Sequence, residues 1–208
     1  QEAENLLQQV LEIKLIHAGT HFSFGQLKPE DRLHELEFYF PLNYLSSDKL
    51  HSVLGPYSRH PDSVSKINRS QRLAFSPAGG FMKGFIDLVF GYQGRFYLVD
   101  WKSNHLGETL DDYRHERLQA AMDEHLYGLQ AQIYTLAADQ YFRLRIPGYR
   151  YETHFGGTFY IFLRGIGGDS QRQSGIHFNR LDPAALGFIR ETLIPESNDH
   201  RRSDDGRS

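Results

Sequence analysis

Apolar and polar positions along the chain change period several times, and each change marks an element. Leu6, Leu7, Val10, Leu11, Ile13, Leu15 and Ile16 recur near helical spacing and predict a helix over residues 3–16, ahead of Gly19. The run His34-Glu35-Leu36-Glu37-Phe38-Tyr39-Phe40 alternates loosely and predicts a strand from Leu33 to Leu42, ended by Pro41. Ser46 to Gly80 is polar and broken by Gly55, Pro56, Pro61, Pro77, Gly79 and Gly80, so a short helix and a long loop are expected there. Two apolar, aromatic and β-branched runs follow, Gly84 to Phe90 and Arg95 to Asn104, joined by the turn signal Gly91-Tyr92-Gln93-Gly94. Asn104 to Arg114 reads as irregular. Leu118, Met122, Leu126, Leu129, Ile133, Leu136 and Ala137 then recur at steps of three and four and predict one long helix from Glu116 to Arg143. Thr158 to Arg164 reads as a strand, Pro183 to Leu193 as a closing helix, and residues 195–208 as a polar, flexible tail. This order predicts a single α/β domain over residues 1–194, with a mixed central β-sheet flanked by helices.

The paired runs carry the chemistry. A two-residue turn at Gln93-Gly94 sets Asp87 opposite Asp100, and a four-residue turn sets the two acids diagonally on one face; only an odd loop separates them. Lys102, two residues beyond Asp100, projects from the same strand face. Phe85, Asp87, Val89, Leu98, Asp100 and Lys102 are expected on that face, with Ile86, Leu88, Phe90, Val99 and Trp101 forming an apolar one that reads as core. Two carboxylates about 4 Å apart repel by roughly 4 kcal/mol at an effective dielectric near 20, which a divalent cation removes. A half-exposed hairpin with a surface salt bridge is the plain alternative. The apolar neighbours Phe85, Val89 and Leu98 favour a site, since charges among apolar side chains need partners.

Charge and composition narrow the chemistry. A net charge of −3 argues against gripping nucleic acid by bulk electrostatics, leaving only local clusters: Arg69 with Arg72, Arg114 with Arg117, or Arg143 with Arg145 and Arg150. The absence of cysteine excludes disulfides, thiolate metal sites and a cysteine nucleophile. No run approaches the roughly 18 apolar residues of a membrane span. No His-x-x-x-His pair with an acid lies on an expected helix, so His125 is expected to cap or line the long helix.

Asp87, followed after a short hairpin by Asp100-Trp101-Lys102, resembles the D…(D/E)-x-K signature of the PD-(D/E)XK nucleases. The longer runs Gly84-Phe85-Ile86-Asp87-Leu88-Val89-Phe90 and Tyr97 to Gly107 resemble more closely the RecB-like nuclease domains. Glu35 to Tyr39, Leu129 to Ala137, Phe155-Gly156-Gly157 and Leu163-Arg164-Gly165 extend the likeness over residues 34–166. It implies a restriction-endonuclease-like core and Mg²⁺-dependent hydrolysis of DNA, with one ion or two and with Ca²⁺ or Mn²⁺ as substitutes. Asp87, Asp100 and the Trp101 backbone carbonyl are the implied metal ligands, and Lys102 acts near the attacking water. Gln130 and Tyr134, one turn apart on the long helix, belong to the implied motif set, and Glu37 is the candidate to orient a water or serve a second ion. The likeness further implies single- and double-stranded DNA ends as substrate. The implied partners are RecC- and RecD-like subunits and an upstream RecB helicase region, in cytoplasmic, exonuclease V-type repair by recombination and degradation of linear DNA. A histidine from an upstream helix completes the family site; neither His17 nor His21 has the flanking residues of that helix, so it is expected to lie before this stretch. The competing reading is a catalytically silent DNA-binding or scaffold module, against which the intact Asp87, Asp100 and Lys102 set argues.

Overall fold

One twelve-residue strand organises the molecule. The computed structural model describes residues 2–17, 20–43, 75–78, 80–167 and 174–195. Its elements are α1 (Glu2–Glu12), the short strands β1 (Leu15–His17) and β2 (Thr20–Phe22), β3 (Arg32–Pro41), β4 (Phe75–Ala78), β5 (Phe81–Tyr92), β6 (Arg95–Lys102), α2 (His115–Glu124), α3 (Tyr127–Arg145), the single turn α4 (Tyr151–His154), β7 (Phe155–Phe162), β8 (Ile176–Asn179) and α5 (Pro183–Leu193). The main sheet runs β3-β5-β6-β7-β8, with β4 also paired to β5. Among the described strands only β6 and β7 pair in parallel, and α2 and α3 make the crossover between them, so the sheet is mixed and helix-flanked as expected.

The β5–β6 hairpin closes through Gln93 and Gly94, both at positive φ (48° and 74°), the backbone of the tight turn that matches strand twist. Its register pairs Tyr92 with Arg95 and continues to Leu88 with Val99. β3 pairs along one edge of β5, while β4 and β6 share the other: β4 covers Phe81 to Gly84, and β6 covers Leu88 to Tyr92. Phe85, Ile86 and Asp87 are left between them. This notch opens the sheet beside the acids.

The sheet separates two apolar layers. Leu36, Phe38, Phe40, Ile86, Val89 and Leu98 pack under α3 and α5, whereas Leu88, Phe90, Tyr97, Val99 and Phe159 pack with Leu15, Phe22 and Phe24 on the far side. The expected alternation therefore needs two corrections: Ile86 faces the α3 layer together with Val89, and Phe85, half-exposed beside Lys83, leaves the face of Asp100. The strand kinks between them, and its neighbour Glu35 takes a left-handed φ of 51° where the β3–β5 register skips Glu35 and Asp87.

Other expectations also shift. The opening helix ends at Glu12, because Leu15 turns into the core and Leu15–His17 pairs with Thr20–Phe22. The long helix is two helices: Leu126 sits at φ 58°, a left-handed residue that redirects the chain between α2 and α3, and His125 caps α2. β4 and β8 are strands where none was expected, and β7 starts earlier, at Phe155. The glycines there have a reason, since a Cβ on Gly156 would run into the Tyr97 ring. The closing helix falls at Pro183–Leu193 as expected, with Asp182 Oδ1 accepting from the backbone N–H groups of Ala184 and Ala185. Most of the expected long loop, Arg69 and Arg72, and the polar tail beyond Pro195 lie outside the described residues. Among the described residues no helix is long and apolar enough to cross a membrane.

Candidate active site

The site grows out of the point where the hairpin ladder stops. Strand pairing makes alternate residues exchange both backbone hydrogen bonds, so after Leu88–Val99 the next such pair is Ile86–Trp101. That pair is not made; instead Trp101 donates its backbone N–H to Asp87 Oδ2 at 2.8 Å. The carbonyl of a strand residue leaves on the same edge as its N–H. The Trp101 carbonyl is thus directed to the notch beside Asp87, where the resemblance expects a ligand. The Trp101 indole goes to the far layer, 5.4 Å from the Phe24 ring.

Asp100 and Lys102 point the other way, under the crossover helices, and both are buried. Lys102 Nζ lies 2.5 Å from Asp100 Oδ2. It donates to Gln130 Oε1 at 2.9 Å. Gln130 Nε2 donates to Asp100 Oδ1 at 3.3 Å and to Tyr134 Oη at 2.9 Å. One buried amide therefore ties the acid and the lysine of β6 to the tyrosine one helical turn along α3. Lys102 Nζ also stands 3.7 Å from the centroid of the Tyr127 ring and 5.5 Å from that of Tyr160. Tyr127 donates its hydroxyl to Asn104 Oδ1 at 3.0 Å.

Burial pushes the Asp100 carboxyl up to about 6; the Lys102 charge pulls it back, and the Asp87 charge adds to the rise. Burial also raises the Tyr134 and Tyr127 hydroxyls, with Asp100 adding to both and the Gln130 and Asn104 hydrogen bonds opposing. Asp100 Oδ2 is held by the Lys102 ammonium. A buried carboxylate, a second carboxylate at the notch and a carbonyl on the same edge make a hard-oxygen donor set that fits Mg²⁺. Among the described residues no group of three or more His, Asp, Glu or Cys side chains is placed to hold a metal, so an ion here would have two carboxylates and would draw on backbone and water.

The structure therefore gathers Asp87, Asp100, Trp101, Lys102, Gln130 and Tyr134 into one region. Glu37 stands apart: its carboxylate lies 2.6 Å from Lys83 Nζ on a half-exposed surface. That contact ties it to Lys83 and not to the acids of the hairpin. Sequence reasoning missed Tyr127 and Asn104. Both leave a signal, for Tyr127 precedes Gln130 by three residues on one helix and so shares its face, and Asn104 follows Lys102 by two.

No family model matches the chain. It is similar to the "RecBCD enzyme subunit RecB" of Escherichia coli K12, 41% identical over 182 residues, which cover 88% of this chain and 15% of that protein. The subunit of the same description from Haemophilus influenzae is 36% identical over 85% of this chain and 14% of its own length, and that of Mycobacterium tuberculosis 34% over 73% and 15%. The chain thus spans about 15% of the length of the curated relatives it matches.

Proposed function

Over the stretch that it shares with those subunits the chain belongs to the RecB family, and from that premise we propose that it is a metal-dependent DNA nuclease domain. It corresponds to the C-terminal nuclease of a RecB-type helicase–nuclease that works with RecC- and RecD-like subunits on DNA ends, in break repair by recombination and in degradation of linear DNA. The observation that carries this reading is the notch, where a hairpin stops pairing and two acids and a buried lysine lie beside it.

Asp87, Asp100 and the Trp101 carbonyl are the residues to hold Mg²⁺. When bound, the ion supplies Lewis-acid polarisation of a phosphodiester and a lower pKa for water within its reach. The protein's own groups do the rest. Trp101 N–H fixes the Asp87 carboxylate in the plane of the sheet. Gln130 orients Asp100 and Lys102 together and is itself held by Tyr134. The Lys102 ammonium, shielded from water, stabilises negative charge that develops on the phosphoryl oxygens, an interaction stronger in a buried site than in solvent.

The test is cleavage of linear DNA by the full-length protein with Mg²⁺, compared with Asp100→Asn and Lys102→Ala. Loss of cleavage with DNA binding retained is expected in both variants. A wild-type protein that binds DNA but fails to cut it with Mg²⁺, Mn²⁺ or Ca²⁺ is instead a silent scaffold, and the proposal fails.

A further inference from the structure

We propose that Tyr127, held by Asn104, is the residue that positions the Lys102 ammonium for the reaction, by presenting its ring face to the charge. This rests on the nuclease reading above, and it goes beyond it by giving a role to two side chains outside the acid, lysine and glutamine set.

The argument starts from what surrounds Lys102 Nζ. Three groups lie close to it: Asp100 Oδ2 at 2.5 Å, Gln130 Oε1 at 2.9 Å and the Tyr127 ring centroid at 3.7 Å. Asp100 is also one of the two acids that would hold a divalent cation. A divalent cation held by that carboxylate would compete with the ammonium for its oxygens and repel it. The ion pair would then be the weakened contact, and Lys102 would be kept in place by the others. Gln130 offers one lone-pair contact. The tyrosine face offers an attraction for a cation that uses no carboxylate oxygen and that gains strength where water is excluded. Tyr160, fully buried with its centroid at 5.5 Å, lies beside the Tyr127 ring as a second, more distant aromatic neighbour of the charge.

The ring is fixed as a positioning group needs to be. Its hydroxyl donates to Asn104 Oδ1 at 3.0 Å, and its plane lies 18° from that of Tyr160 with centroids 6.1 Å apart. Asn104 leaves β6 two residues after Lys102, so the strand that carries the lysine also carries the anchor of the ring. Leu126, at its left-handed φ, turns the chain so that Tyr127 opens α3 beside the lysine. A plain, partly buried tyrosine accounts for the packing but not for a cation centred over the face.

Two measurements test this. In protein labelled at lysine, the Lys102 side-chain methylene protons next to Nζ are expected at unusually high field from the ring current, in chelator and without DNA. Tyr127→Phe keeps that shift and Tyr127→Leu abolishes it; an ordinary shift in the wild type overturns the proposal whether or not the protein is a nuclease. In cleavage assays, Tyr127→Leu is expected to lower kcat about tenfold or more with KM for DNA little changed, Tyr127→Phe to recover most of the loss, and Asn104→Ala to fall between. In a Lys102→Met background Tyr127→Leu has no further effect on the residual rate, since the two residues act as a unit. Equal losses in both backgrounds, or failure of phenylalanine to rescue, mean that Tyr127 is merely structural. Absence of cleavage by the wild type rejects the nuclease reading and leaves the spectroscopic result to decide the contact of Tyr127 with Lys102.

Discussion

Asp87 and Trp101 are joined side chain to backbone at 2.8 Å, in the place where the hairpin ladder would have put a backbone-to-backbone rung. Asp87 is thus both half of a like-charge pair and a structural acceptor, and substitutions separate the two roles. In metal-free protein Asp87→Asn keeps an oxygen for the Trp101 N–H and removes the charge facing Asp100, so its melting temperature is expected to equal or exceed that of wild type. Asp87→Ala loses the acceptor and is expected to cost about 1–3 kcal/mol. Thermal melts of both variants in chelator check the pair; equal losses would contradict the relief of repulsion.

Lys102 is a structural cation as well as a candidate for the chemistry. It is buried against Asp100, and removing one partner of a buried pair leaves an uncompensated charge. Lys102→Ala is expected to destabilise the metal-free protein by about 3 kcal/mol at neutral pH. Lys102→Met with Asp100→Asn should recover most of that loss. Denaturant titrations of the single and double variants measure it.

The raised Asp100 pKa sets a sign for the pH dependence. A carboxyl near 6 in the fold and near 3.8 when unfolded binds its proton more tightly in the folded state. Its contribution to stability is complete below about pH 4 and is lost as pH rises through about 6, a change on the order of 2–3 kcal/mol. In chelator, wild type should therefore lose stability between pH 4 and pH 7 relative to Asp100→Asn. Parallel melting curves across that window would show that the carboxyl is not perturbed.

Glu37 provides a contrast within the same sheet. Its ion pair with Lys83 is half exposed, and such pairs contribute at most about 1 kcal/mol. Glu37→Gln is expected to leave stability nearly unchanged and to reduce DNA cleavage far less than Asp100→Asn. A loss of cleavage as complete as that of Asp100→Asn would return Glu37 to the site.

What could be read from the chain follows the range of the interactions. The hairpin was legible because its turn residues, its alternation and its acids act within a few residues of one another, and α5 because Asp182 and Pro183 mark its start locally. The break at Leu126 was not, since both helices keep the same buried stripe and only the fold forces a leucine to φ 58°. β1, β2 and β8 are too short for period to show. The side on which Ile86 packs depends on a kink shared with Glu35 in another strand. Gln130 and Tyr134 were legible as a pair on one helix face, but their contact with Lys102 and Asp100 closes only through the crossover.

The parallel pairing of β6 with β7 has a consequence for how the protein comes off the ribosome. The hairpin with both acids needs only the two-residue turn and forms on the microsecond scale, whereas Gln130 reaches Asp100 across thirty residues of chain and a helical crossover. A nascent chain that ends before α3 therefore displays the acids and the lysine to solvent without the amide and tyrosines that orient them. Competence arrives with the first turns of α3, which keeps an unfinished polypeptide from carrying a finished blade.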